Sequence, residues 1–249
     1  EFRMVGSRDS ISECNVVLNT IAAEAFKEAC DRLEKADDFE MAVHDLIKEY
    51  AIDHQRIVFN GNGYAPEWAE EAKRRGLPNL PSMVDAIPAL TTDKAVKLFE
   101  EFHVFTKTEL ESRAEIQYEI YAKAVNIEAK TMIDLATKQI IPAVVRYTTV
   151  LADSVNTVRA VGDIDVSVQL ELLKKCSALL KTTNSAMKNL SDVVAKVSEI
   201  PEGRERAIYC KDIVCKAMTE LRTPVDELEM LVDKSMWPMP SYGDLIFEV

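Results

Sequence analysis

Residues 106–161 read TKTELESRAEIQYEIYAKAVNIEAKTMIDLATKQIIPAVVRYTTVLADSVNTVRAV, without one glycine, and this run decides the fold class. Thr106-Lys107-Thr108-Glu109 opens it as a capping box, in which the threonine hydroxyl takes an amide three residues on and the glutamate reaches back. Left unbroken, the helix would be on the order of 80 Å long at 1.5 Å per residue, more than the diameter of a compact small domain. Pro142 predicts a kink or a split, because it lacks an N–H and crowds the preceding turn. The second half carries an apolar stripe of Ile133, Ala136, Ile140, Val144, Tyr147, Leu151, Val155 and Val158. Gly162 and Asp163-Ile164-Asp165 then reverse the chain. From Val166 to Ile200 the pattern returns with Leu170, Leu173, Ser177, Leu180, Met187, Leu190, Val194 and Val197. Pro201-Glu202-Gly203 breaks that helix, and Arg204 to Arg222 forms a third arm bearing Ile208, Ile213 or Val214, Ala217 and Leu221. Thr223-Pro224 supplies an N-cap and a first-turn proline for a short last helix through Lys234. The expected class is mainly α: long antiparallel helices, as a helical bundle or an extended arm, with a short strand-containing segment near the N-terminus.

Working back from Thr106, Asp93 to Phe102 is a short helix. Gly76 to Pro88, with Pro78 and Pro81, reads as an ordered connector or domain boundary. It divides the chain into residues 1–90 and 91–249. Pro66 starts a helix that runs to Arg75 and stops at Gly76. Arg56-Ile57-Val58-Phe59 is the clearest strand-like run, ended by the turn Asn60-Gly61-Asn62-Gly63. Asp37 and Glu40 form a second capping box for a helix to about His54. Asn15 to Lys35 is helical through Val17, Ile21, Ala25, Ala29 or Cys30, and Leu33, and these two helices are expected to pack on each other. At the other end Met236 to Val249 is aromatic and proline-fixed. It reads as a non-helical tail that docks on a folded surface, its own or a neighbour's.

The chain has 249 residues, enough for one large domain or two modest ones. Its 30 basic and 42 acidic residues leave a net charge of −12, and the pI is near 4.9, which argues against nucleic acid or an anionic membrane as partner. Hydrophobic content of 47% with 29% charge is globular, and seven glycines fit a mostly helical chain. No run reaches the roughly 18 apolar residues of a membrane span, and the N-terminus lacks a signal-peptide layout, so the expected location is the cytoplasm. Five cysteines, Cys14, Cys30, Cys176, Cys210 and Cys215, suit a reducing compartment and read as buried, inert thiols. On an α-helix, Cys210 and Cys215 point to different faces. The first residue is Glu1, not methionine, and the chain reads as a piece of something longer.

Chemistry is sparse. His44, His54 and His103 have no carboxylate or cysteine at metal spacing, and no nucleophile elbow, Walker loop or dinucleotide fingerprint occurs. Glu109, Glu111, Glu115 and Glu119 follow one another on a helix. A carboxylate metal bundle also needs Glu-x-x-His, so they read as a solvated face. Glu1-Phe2-Arg3 is left. In a strand, Glu1 and Arg3 share a face, and a carboxylate beside a guanidinium can hold a divalent metal together with an anionic group. A charged sheet edge accounts for the same three residues.

Several blocks together resemble one family. Glu1-Phe2-Arg3-Met4-Val5-Gly6-Ser7, Asn15-Val16-Val17-Leu18-Asn19-Thr20-Ile21-Ala22, Arg56 to Tyr64, Glu109-Leu110-Glu111-Ser112-Arg113 and the closing Trp237 to Val249 are similar to the C-terminal third of type III glutamine synthetases. The resemblance implies an enzyme that joins ammonia to glutamate with ATP, using two magnesium or manganese ions, and that assembles as homo-oligomeric stacked rings. Within the family's Glu-x-Arg motif it implies Glu1 as a metal ligand and Arg3 as a contact to the transferring phosphate or the substrate. The remaining active-site residues would lie upstream, and the basic residue usual two before the Glu is not in this sequence. The expectation is a structural and assembly segment, inactive alone, with neither ATP nor metal held tightly by the fragment. The alternatives are an independent helical protein–protein interaction module and a carboxylate-bridged metal enzyme.

Overall fold

A computed structural model of the chain describes residues 10–247. Of these, 79% are helical, and no β-strand occurs among them. The helices, in chain order, are α1 (Ser12–Leu33), α2 (Phe39–Asp53), α3 (Pro66–Arg74), α4 (Met83–Ala86), α5 (Asp93–Glu101), α6 (Lys107–Leu135), α7 (Ile141–Val161), α8 (Ser167–Ala195), α9 (Arg204–Tyr209), α10 (Cys215–Glu229) and α11 (Tyr242–Phe247). The chain divides into two compact units, Glu1–Ala114 and Glu115–Val249, and the division falls inside α6. The strand-containing segment expected near the N-terminus is absent from the described residues. Glu1-Phe2-Arg3, the other strand expectation, lies outside them.

In the first unit the helix ends follow local chemistry. Asp38, not Asp37, caps α2, its carboxylate accepting from the Met41 amide at 3.1 Å. The helix α3 starts on Pro66 and ends in a Schellman motif at Gly76 (φ 68°), with the Leu77 N–H on the Ala72 carbonyl and the Gly76 N–H on that of Lys73. The same motif closes α5, but His103 holds the left-handed position (φ 54°) usually given to glycine, with the Val104 N–H on the Phe99 carbonyl. That histidine is a helix stop. The Thr106–Glu109 box forms as expected: the Glu109 Oε2 accepts from the Thr106 amide at 2.8 Å and its hydroxyl at 2.9 Å, while the Glu109 N–H reaches the Thr106 Oγ1 at 3.3 Å. Val84, Ile87, Phe99 and Leu110 are the deeply buried side chains of this unit.

The second unit is a bundle of three rods. Residues 115–161 form the first, α8 the second, and α9 with α10 the third; α8 packs against both α7 and α10. Pro142 neither kinks the first rod sharply nor ends it. A π-helical turn at Ala136–Ile140 sits just before it and lets the helix run on, because the wider turn gives the ring the room that a normal i→i−4 ladder denies. A second π turn, Cys210–Val214, joins α9 to α10, and the Cys215 N–H closes it on the Cys210 carbonyl. This overturns the reading of Cys210 and Cys215 on different faces. Cys210 Sγ lies 3.9 Å from the Ala122 carbonyl and Cys215 Sγ 3.8 Å from the Tyr121 hydroxyl, so both thiols face α6. Burial pushes the Cys210 thiol up to about 11, which suits an inert thiol.

Two further expectations change here. Thr223-Pro224 does not start a helix: Pro224 lies inside α10 and is buried, while the Thr223 hydroxyl bonds the Thr219 carbonyl at 3.0 Å. Burial of the ring offsets the missing amide. The reversal after α8 does depend on glycine. Gly203 has φ +83°, and a Cβ there would stand 2.5 Å from the Glu115 carboxylate. Gly203→Ala is expected to cost roughly 1–2 kcal/mol, from the backbone region more than from the flexible carboxylate; a urea titration followed by Trp237 fluorescence in a Trp68→Phe background measures it.

Candidate functional site

Two segments of the described chain are held in fixed, solvent-facing conformations, and both come from blocks the sequence singled out. The first is 55–64. Gln55–Ile57 is a single 3-10 turn and Val58 is extended, but no strand partner exists. The Arg75 Nη1 instead donates to the Arg56 carbonyl at 3.1 Å and the Val58 carbonyl at 2.7 Å. A guanidinium thus takes the acceptors that a neighbouring strand would use, and this is why a strand-like run makes no sheet. Arg75 is itself fixed by Glu71 at 2.5 Å, and its guanidinium carbon lies 5.8 Å from both the Phe59 and Trp68 ring centres. Those rings stack at 4.1 Å. The Phe59 ring lies against Gly61, where a Cβ would come within 2.5 Å of it, so glycine is required by close approach. The Asn62 side chain accepts from the Tyr64 amide at 3.0 Å, an Asx turn that leaves Tyr64 75% exposed.

Glu71 serves two arginines: Arg74 donates to it at 2.6 and 2.7 Å, besides Arg75. Hydrogen bonds from Arg74 and then Arg75 hold its carboxyl down at about 2, against an ordinary 4.5. Because the folded value is the lower one, the stabilisation is complete above pH 4.5 and disappears as pH falls from there through about 2. Trp68 emission, in a Trp237→Phe background, should therefore show an acid transition below pH 4.5 that Glu71→Gln removes; emission that stays flat to pH 2 would contradict this anchor.

The second segment is the tail. Met236 and Trp237 pack on a buried cluster of Ile140, Val144, Cys176, Leu228 and Val232, as the docking expectation requires. Beyond Pro240 the tail is helical after all. Ser241 and Asp244 cap α11 reciprocally: Asp244 Oδ2 accepts the Ser241 amide and hydroxyl, each at 2.7 Å, and the Asp244 N–H reaches Ser241 Oγ at 3.3 Å. Lys234 pairs with Asp244 Oδ1 at 2.7 Å, and this partner with the Ser241 bonds holds the carboxyl at about 2. Tyr242, Leu245, Ile246 and Phe247 stay exposed, so only the first part of the tail docks. The spacing Ser-x-x-Asp carried the capping signal; proline and glycine on either side concealed it. Arg75 and Glu71 were likewise missed, although Glu-x-x-x-Arg is the (i, i+4) spacing of a helical ion pair.

Glu1 and Arg3 lie outside the described residues. The three histidines do not converge: His44 meets Asp45, His54 meets the Tyr50 ring, and His103 caps α5. In the run of acids, Glu109 caps α6, Glu111 pairs with Lys107, Glu119 with Lys123, and Glu115 borders Gly203. Among the described residues no group of three or more His, Cys, Asp or Glu side chains is placed to hold a metal ion, so these residues do not fit a divalent cation. No helix among them is long and apolar enough to cross a membrane.

Comparison with known proteins places these blocks. Residues 42–159 match the glutamine synthetase C-terminal domain. The chain is 34% identical to the type-3 glutamine synthetase of Dictyostelium discoideum across 99% of its own length, and 34% identical to a glutamine synthetase of Butyrivibrio fibrisolvens across 86%. A glutamine synthetase of Bacteroides fragilis (strain YCH46) is 27% identical across 99%. The chain spans about a third of the length of these relatives, 35%, 31% and 35%. It belongs to the glutamine synthetase family, as a counterpart of the C-terminal part of the type-3 enzymes.

Proposed function

We propose that the chain is the C-terminal part of a cytoplasmic ATP-dependent glutamate–ammonia ligase that makes glutamine, and that it serves structure and assembly while lacking activity alone. The similarity over 99% of this chain to 35% of a type-3 glutamine synthetase carries the reading. In the whole enzyme, glutamate's side-chain carboxylate takes the terminal phosphoryl group of ATP, and ammonia then displaces phosphate. Magnesium or manganese, when bound, neutralises charge on the phosphates. Of this chain's residues, Glu1 is the proposed metal ligand and Arg3 the proposed contact to the transferring phosphate or the substrate. Residues 1–90 close the catalytic domain, and 91–249 form a helical C-terminal domain. The bundle and the projecting α11, with its exposed Tyr242 and Phe247, suit contacts between subunits of a homo-oligomeric stacked ring.

The test is a glutamine-forming assay with ATP, glutamate, ammonia and magnesium. The 249-residue chain should give none, and the longer polypeptide that includes it should turn over. Turnover by the short chain would overturn the assignment, as would its absence from the long one.

A further inference from the structure

The helix α1 is apolar on two opposite sides, and only one of them is covered. One side faces its own unit: Thr20 is buried, Lys27 pairs with Glu101 of α5 at 2.8 Å, and Arg32 forks onto Glu49 of α2 at 2.9 and 2.7 Å. The other side carries Ile11, Leu18 and Ala25 at seven-residue spacing, flanked by Ile21 and Phe26. All five are exposed, Leu18 at 38%, Ile21 at 50%, Ile11 at 59% and Phe26 at 72%. A helix apolar around most of its circumference belongs in an interior, between two layers. The polar half of the inner side confirms which side lacks its layer: the Thr20 hydroxyl turns back onto the Val16 carbonyl at 2.8 Å, whereas the open side offers only alkyl and aromatic groups along that row.

We infer that the open face of α1 is an intramolecular docking surface, covered by the catalytic part of the same polypeptide. The occupant follows from length: the relatives are about three times as long as this chain, so most of each lies outside it. This rests on the ligase reading above. A face of alternating large and alanine side chains accepts a flat, apolar, covalently tethered layer, with no charge to match. Its burial is what would join the helical part rigidly to the active-site part.

The experiment uses Leu18→Cys with Cys14→Ala and Cys30→Ala, in both the 249-residue chain and the longer polypeptide, and follows maleimide labelling by peptide mass spectrometry. Labelling of Cys at position 18 should be fast in the short chain at every concentration and at least tenfold slower in the long one. A second variant, Ala25→Glu, should lower the melting temperature of the long polypeptide while leaving that of the short chain unchanged. Equal labelling in both polypeptides overturns the inference. So does protection in the short chain: protection that grows with concentration means a second copy covers the face, and protection independent of concentration means another part of this chain does. Glutamine formation by the unmodified long polypeptide is measured alongside. Activity without protection sinks the docking surface alone, and protection without activity sinks the ligase reading alone.

Discussion

Leu190→Ala should destabilise the second unit by about 3–4 kcal/mol, in the upper part of the range for such truncations. Leu190 is fully buried, at the meeting of all three rods, among Val125, Ala129, Val194, Cys210, Val214 and Leu221. Most of its wall is small: Ala122, Ala129, Ala136 and Ala217 let the helices approach closely, and alanine has no rotamer with which to fill a hole. The cavity therefore stays open, and its cost adds to the lost transfer free energy at roughly 24 cal/mol per Å³. Leu190→Met, which keeps the volume, should cost less than about 1.5 kcal/mol. The two tryptophans separate the units, Trp68 in the first and Trp237 in the second. Guanidinium unfolding followed at Trp237, with Trp68 replaced by Phe, should show a midpoint well below that of the parent for Ala and close to it for Met. Equal midpoints for Ala and Met would mean the rods do not close on this residue.

What could be read in advance was whatever depends on period and on caps. The glycine-free run, the reversal after Val161, the Thr106–Glu109 box and the stop at Gly76 all appear, because each is decided by neighbours within one or two turns. Failures share a different cause. Pro142 and Pro224 are tolerated through a π turn and through burial, neither of which the local rule contains. The Val17, Ile21, Ala25 stripe of α1 is a true helical stripe, but the structure turns much of it outward and buries Thr20, since periodicity says that a face is apolar without saying what will cover it. Arg56 to Phe59 has the composition of a strand, and composition is silent about an arginine nineteen residues away that takes its carbonyls. Of the candidate site, the blocks were legible and the holding residues were not. Asn60 to Gly63 announced a turn, whereas Arg75, Glu71 and the Ser241–Asp244 cap come from pairings in space.

Arg75→Ala should release residues 56–64 while leaving the helical bundle intact. Four interactions converge on this one half-buried side chain: two carbonyl acceptors, the Glu71 carboxylate, and the faces of Phe59 and Trp68. The carbonyls are exposed, so each lost hydrogen bond is set at about 1 kcal/mol, below the usual value for a charged donor. Removing both should raise local opening about tenfold to a hundredfold, since 1.4 kcal/mol is a factor of ten. Hydrogen exchange at Val58 to Tyr64 should accelerate by that factor, and the Phe59–Trp68 stack should loosen, shifting Trp68 emission to the red. Arg75→Lys is the discriminating variant. An ammonium keeps the charge but has no planar fork to reach Glu71 and two carbonyls at once, so it should behave like alanine in exchange. Full protection in the lysine variant would show that charge alone holds the turn. Exchange at Leu190 and Leu221 should not change in either case, because those amides sit in the other unit, in the interior of α8 and α10. In the whole synthetase the same substitution should lower glutamine formation if the held turn, with its exposed Tyr64, takes part in assembling or closing the active site. Unchanged turnover together with faster exchange would confine Arg75 to stabilising this segment.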